Sequence, residues 1–173
     1  MTNSLKEITL RSNRFVRVIA MKFKVKTFDK LSVNELYDLL HLRQQIFVVE
    51  QNCIYLDADG IDKTCLHLLG TVNKKIVGYA RIIPARITSR ITYYKTPSIG
   101  RVVVDEKHRG KGYAYKIMDK AIKVAIENFK AKKITISAQL YLKEFYEKIG
   151  FKVSGKVYLD CDLPHLKMIK SIR

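Results

Sequence analysis

The sequence predicts a mixed α/β fold built around one sheet, and three observations carry that prediction. Short apolar or alternating runs, bounded by Gly, Asn and Pro, recur along the 173 residues as strands do. Longer stretches repeat their apolar residues at helical period. The two kinds of segment interleave as strand, helix, three strands, helix, strand, helix, two strands, with no repeat or flexible linker to divide them.

Each element has a local reason. "MKFKVKTF" (21–28) alternates polar and apolar residues, as a half-buried strand does. Ser32 and Glu35 have capping-box spacing, and Val33, Leu36, Leu39, Leu40 and Phe47 follow at helical period, so a helix runs from about residue 33 into the forties. "QNCIYLDADGIDKT" (51–64) is a loop. "CLHLLGTV", the turn "NKK" and "IVGYARIIPA" form a hairpin and a longer strand. Residues 86–97, polar and containing Pro97, are a loop. "IGRVVV" is a strand too apolar to face water on either side. Ile117, Met118, Ala121, Ile122, Ala125 and Phe129 make an amphipathic stripe from Tyr113 to about Lys130. "KITISA" is a strand, "YLKEFYEKIG" a short helix ending at Gly150, and "FKVSGKVYLD" with "PHLKMIK" a closing pair of strands.

Composition narrows the class. The chain is 47% apolar and 28% charged, ordinary for a globular protein. No apolar run approaches the ~18–20 residues of a membrane span. The first residues lack the pattern of a secretory signal. Cys53, Cys65 and Cys161 are far apart and odd in number, which argues against a disulfide framework or a structural zinc and fits a reducing cytoplasm. Lys and Arg number 33 against 16 acidic residues, a formal charge of +17 that draws anions. No nucleic-acid-binding motif accompanies it, so RNA ranks below a phosphorylated co-substrate as partner.

The most informative stretch is "SIGRVVVDEKHRGKGYAYKIM" (98–118). An apolar strand passes through a basic turn stripped of side chains at Gly110, Gly112 and Ala114, and a helix begins at once. The helix's first backbone N–H groups are then unpaired, and with the helix dipole they favour an anion. Lys107, His108, Arg109 and Lys111 add charge. Neither GxxxxGK[ST] nor GxGxxG is present, which excludes two familiar phosphate loops.

"RGKGYA" after an apolar strand resembles the acetyl-CoA-binding motif of the GNAT acetyltransferases, and "LYLKEFYEKIGF" resembles their second signature. "LRQQIFVVEQNCIYLDADGID", "HLLG", "GYARIIP" and "VYLDCDLPHLKM" resemble the ElaA-like branch. The likeness covers about residues 22–170. It implies a GNAT fold with a central, mostly antiparallel sheet of about six or seven strands flanked by helices. It leaves residues 1–20 as an extension dispensable for acetyl transfer and 21–173 as one domain. It implies acetyl-CoA as co-substrate without a metal, and direct attack by an amine in a ternary complex. Arg109, Gly110, Lys111, Gly112, Tyr113 and Ala114 would hold the pyrophosphate, and Val102, Val103 and Val104 the pantetheine arm. Tyr146 matches the family's general acid toward the CoA sulfur, with Phe145 left to fill the core.

The base is less specified. Glu50, His67 and His165 are candidates, with Glu50 preferred. Asp57, Asp59 and Asp62 fail the spacing of an EF-hand and read as an Asx-rich turn or as an acidic lip for a cationic acceptor. The acceptor is an amine on a small molecule or a protein. No membrane partner is expected, and a homodimer is compatible with the sequence. Two alternatives stand beside this reading: an acyltransferase like the acyl-homoserine lactone synthases, which share an "R..VF"-like pattern, and a non-catalytic module holding CoA, RNA or a ribosomal partner.

Overall fold

The computed structural model describes residues 20–89 and 92–172; the expected extension, up to residue 19, lies outside them. The strands are β1 (Lys22–Thr27), β2 (Leu66–Val72), β3 (Lys75–Ile83), β4 (Ile87–Thr88), β5 (Tyr93–Tyr94), β6 (Ser98–Val104), β7 (Lys133–Gln139), β8 (Lys152–Val153), β9 (Tyr158–Asp160) and β10 (Leu163–Ser171). The helices are α1 (Val33–Gln44), α2 (Tyr113–Phe129) and α3 (Lys143–Lys148). An eight-stranded sheet runs β1-β2-β3-β6-β7-β10-β8, with β9 also on β10. β6 and β7 are parallel and the other pairs antiparallel. The expected architecture is therefore present, with a strand more than foreseen. Residues 86–97 are not only loop, since β4 and β5 pair within them.

Side-chain alternation sorts the sheet into two cores. Leu69, Tyr79 and Val103 pack with Leu39, Leu42 and Ile46 under α1. Their neighbours Leu68, Ala80, Val102 and Val104 pack on the opposite face with α2 and with Tyr146 and Phe151. The capping box forms as the spacing predicts. Ser32 Oγ accepts from the Glu35 amide at 3.1 Å, and the Glu35 carboxylate accepts from the Ser32 amide at 3.0 Å. Gly78 lets α2 sit close on β3: a Cβ there would lie 2.5 Å from Ile117 Cδ1, and the Ile117 side chain would have to shift. Beyond Gln44 the chain widens into a π-helical turn, Gln45–Glu50, which carries Glu50 and Gln51 toward the middle of the sheet. Such widened turns are common at functional sites.

Candidate active site

The sheet splits where β6 meets β7. Their one paired position is Ser98 with Thr135, after which the two strands part. On its other side, β6 stays on β3 through Val103 and Val104, but the register shifts where Arg101 takes a left-handed backbone, φ 50°. A non-glycine residue costs about 1 kcal/mol or more there. The guanidinium offsets that cost by donating to Asp57 Oδ1 at 2.6 Å and by lying over the Phe47 and Tyr55 rings. The bulge bends the strand. Among the described residues, no strand lies beside the β7-facing edge of Val102, Val103 and Val104. Val102 and Val104 are only half-buried, so the expectation that neither side of this strand faces open space is corrected.

The basic turn follows directly. Gly110 and Gly112 both have φ 72°, the left-handed region, and Gly112 caps α2 without any side-chain bond. A Cβ on either glycine would meet nothing within 4 Å, so the nest they form is open. Left-handed residues alternating with ordinary ones ahead of a helix aim backbone N–H groups into one concavity, which suits an anion. Tyr113 buries its ring in the core and Ala114 is half-buried, so both can serve only through the backbone. Lys111 Nζ donates to the Lys107 carbonyl at 2.9 Å. Arg109 bends back over the strand: its Nε donates to the Val104 carbonyl at 3.1 Å, and its two terminal nitrogens grip Glu50 at 2.9 and 2.7 Å.

From the split a groove with a cavity volume of about 960 Å³ extends over the β7–β10 face, reaching Val102 at one end and Tyr146 beneath. A smaller cavity of about 510 Å³, near Pro84 and Phe129, is remote from the nest. The Tyr146 ring stands edge-on between Phe145 and Phe151, with centroids 4.9 and 5.9 Å away. Its hydroxyl has no hydrogen-bond partner among the described residues. Burial, and secondarily Tyr141, pushes its pKa up to about 12, so the phenol is protonated at neutral pH. The division of labour expected for the aromatic pair is reversed in part. Tyr146 is the buried ring, 7% exposed, while Phe145 sits outside it against Tyr115 at 4.7 Å.

The floor of the groove holds a cluster that the sequence did not announce. Arg43, fully buried on α1, donates to Asp57 at 2.7 Å and to Asp62 at 2.8 Å. Arg81 on β3 donates to Asp59 at 2.7 Å and to Asp62 at 2.9 Å. With Arg101, three guanidiniums neutralise three carboxylates. Burial alone would raise the Asp62 pKa, but Arg43 and Arg81 more than offset it, and Arg81 does the same for Asp59. The acidic lip is thereby corrected: Asp57 and Asp62 are buried and paired, and offer no free negative field to a cation.

The three candidate bases fall in different surroundings. His67 is fully buried, with Nδ1 on the Tyr79 hydroxyl at 2.9 Å and Nε2 on the Asp62 carbonyl at 3.0 Å. Glu50 is held by Arg109. His165 lines the groove.

The structure thus brings together a split sheet, an open glycine nest beside it and a buried phenol. The acetyltransferase (GNAT) domain family matches residues 47–172. The chain belongs to the GNAT acetyltransferase family. A UPF0039 protein of Schizosaccharomyces pombe is 41% identical over 150 residues, covering 86% of this chain and 95% of that one. The crystal structure of Escherichia coli ElaA is 36% identical with a TM-score of 0.79, over 88% of this chain and 100% of that one. An acyl-CoA N-acyltransferase from Pseudomonas aeruginosa is 31% identical with a TM-score of 0.80, over the same shares. Within the GNAT family the chain is ElaA-like, and GNAT acyltransferases draw on CoA thioesters.

One GNAT wall carries a further correction. Cys53 and Cys161 are joined by a disulfide, their Cα atoms 6.0 Å apart although 108 residues separate them in sequence. The odd cysteine is Cys65, buried beside β3. Counting and local spacing missed the pair because the β9–β10 turn folds over the loop after the π-helical turn. Closing so long a loop restricts the unfolded chain, so reduction should lower the unfolding free energy by roughly 2–5 kcal/mol. Urea melts with and without dithiothreitol measure this; coincident curves would refute it. Among the described residues no helix is long and apolar enough to cross a membrane.

Proposed function

We propose that this GNAT protein transfers an acetyl group from acetyl-CoA to a primary amine on a small molecule or protein, by direct attack in a ternary complex. The observation that carries the proposal is the unpaired β6 edge at Val102, Val103 and Val104, which leads through one short turn into the open glycine nest and whose Val102 shares a groove with Tyr146. The backbone of Arg109, Gly110, Lys111, Gly112, Tyr113 and Ala114 receives the pyrophosphate. The edge of Val102, Val103 and Val104 receives the pantetheine arm, and a strand N–H there polarises the thioester carbonyl. Tyr146 supplies a proton to the departing sulfur. We assign Glu50 the task of holding Arg109 over the Val104 carbonyl. Both partners of that pair are more than 40% exposed, a setting in which an ion pair is worth little and opens readily.

Binding is tested by linkage. Acetyl-CoA at ~100 times its dissociation constant should stabilise the fold by about 2.7 kcal/mol, a rise of roughly 5–10 °C in Tm. Gly112→Asp should abolish the rise, since its carboxylate enters the nest and its Cβ strains a left-handed residue. Lys111→Ala should reduce it only slightly. If millimolar acetyl-CoA leaves Tm unchanged, the pyrophosphate assignment fails. Mass spectrometry of amines incubated with labelled acetyl-CoA identifies the acceptor class; a lactone product, or RNA retention without acyl transfer, would replace this reading with one of the alternatives.

A further inference from the structure

We infer that His165 is the general base that takes the proton from the acceptor's ammonium group. The inference rests on the acetyltransferase reading above and supplies the residue that reading leaves unnamed. It comes from the geometry of the imidazole. His165 Nδ1 meets the Leu163 carbonyl at 2.8 Å; a carbonyl only accepts, so Nδ1 carries the hydrogen. In the neutral ring that leaves Nε2 as a lone pair. Nε2 has no hydrogen-bond partner among the described residues. The ring is held in place by stacking on Tyr158, 6.0 Å between centroids at 28°, and Tyr158 is tied in turn to Ser137 on β7.

Position supports the same role. On β10, Leu166 and Met168 face the core under α2, so His165 and Lys167 face the opposite side, into the groove that also reaches Val102 and Tyr146. The other two candidates are placed less well. His67 is saturated at both nitrogens and sealed, and Glu50 pairs with Arg109 and is not among the residues lining the groove. His165 thus lines the same groove as Val102 from the β7–β10 side of the split.

The step balances. The ammonium passes one proton to Nε2, and the freed nitrogen lone pair forms the C–N bond at the thioester carbon. The C–S bond breaks with its electron pair on sulfur, which takes the Tyr146 proton. The second nitrogen proton returns to the Tyr146 oxygen through water, and the imidazolium releases its proton to solvent. The sum is ammonium plus acetyl-CoA giving amide, CoA and one proton.

The titratable groups around His165 are Tyr158 and Asp160 on β9 and Lys167 on its own strand; β7 offers Ser137 and Gln139, which do not titrate. The test compares wild type, His165→Gln and His165→Ala, with acetyl-CoA and a panel of alkyl amines, a polyamine and a lysine peptide. Both variants should lose ~10²–10⁴-fold in kcat/KM toward these amines and lose the acid limb of the pH profile. Imidazole should restore part of the rate to His165→Ala. Hydroxylamine, already neutral at assay pH, should react at nearly the wild-type rate in both, and the acetyl-CoA-induced rise in Tm should persist. Amine rates within about threefold of wild type, an unchanged acid limb, or equal losses with hydroxylamine overturn the assignment. So does a histidine ¹⁵N spectrum of the wild-type protein that places the hydrogen on Nε2, a readout independent of any acceptor. If wild type binds acetyl-CoA yet acetylates nothing in the panel, including hydroxylamine, the acetyltransferase reading falls and the base with it.

Discussion

Tyr146→Phe should lower turnover by ~10²–10⁴-fold while leaving the acetyl-CoA-induced rise in Tm intact. The substitution removes one hydroxyl and keeps the ring, whose edge-on contacts with Phe145 and Phe151 need no oxygen. Since that hydroxyl has no partner among the described residues, its loss breaks no hydrogen bond of the fold. Activity and stability should therefore separate. Steady-state rates beside thermal melts decide it, and a large fall in Tm that tracks the fall in rate would make Tyr146 a packing residue only. The pH dependence follows from burial. A phenol pushed up to about 12 keeps its proton through the neutral and mildly alkaline range, so this acid should impose no alkaline fall in kcat below that region.

Arg43→Met should destabilise the fold by about 3–5 kcal/mol, because it leaves buried Asp57 and Asp62 short of a positive partner. For a chain of this size that corresponds to a fall of roughly 6–20 °C in Tm. The sign with pH is fixed by the same carboxylates. Asp59 and Asp62 have folded pKa values below their ordinary ones. Their contribution is present above about pH 4 and is lost as pH falls through the lower folded values. Removing Arg43 should raise the Asp62 value and move acid unfolding to higher pH. An unchanged acid midpoint in Arg43→Met would show that Arg81 alone holds Asp62 ionised.

The parts legible in the sequence were those whose causes lie within a few residues. Gly110, Gly112 and Ala114 strip a basic turn of side chains just ahead of a helical stripe, so the nest could be placed before any strand pairing was known. Ser32 and Glu35 declare a helix start in the same way. The split itself could not be read, because it depends on Ser98 meeting Thr135 and on a bulge at Arg101 that neighbouring residues do not encode. The aspartates of "DADGID" looked free because Arg43, Arg81 and Arg101 come to them from a helix and two strands. Cys53 and Cys161 were missed for the same reason of distance along the chain. His165 was visible as a candidate, but only the Leu163 carbonyl tells which of its nitrogens carries the hydrogen.

β10 follows the other described strands in sequence yet is an inner strand of the sheet, and this bears on the order of synthesis. β10 pairs with β7 over seven positions and with β8 and β9 on its other side. A ribosome-bound chain that has made everything up to α3 still lacks the wall that carries His165 and the turn that carries Cys161. Its β7 exposes a bare edge next to an unfilled gap. The nest and the β6 edge can form early, since their residues are made first and are held by β3. The β7 side of the split is completed only when β10 emerges and zips onto β7. A chain that stops short of β10 thus leaves β7 with an unpaired edge, and such an edge invites aggregation.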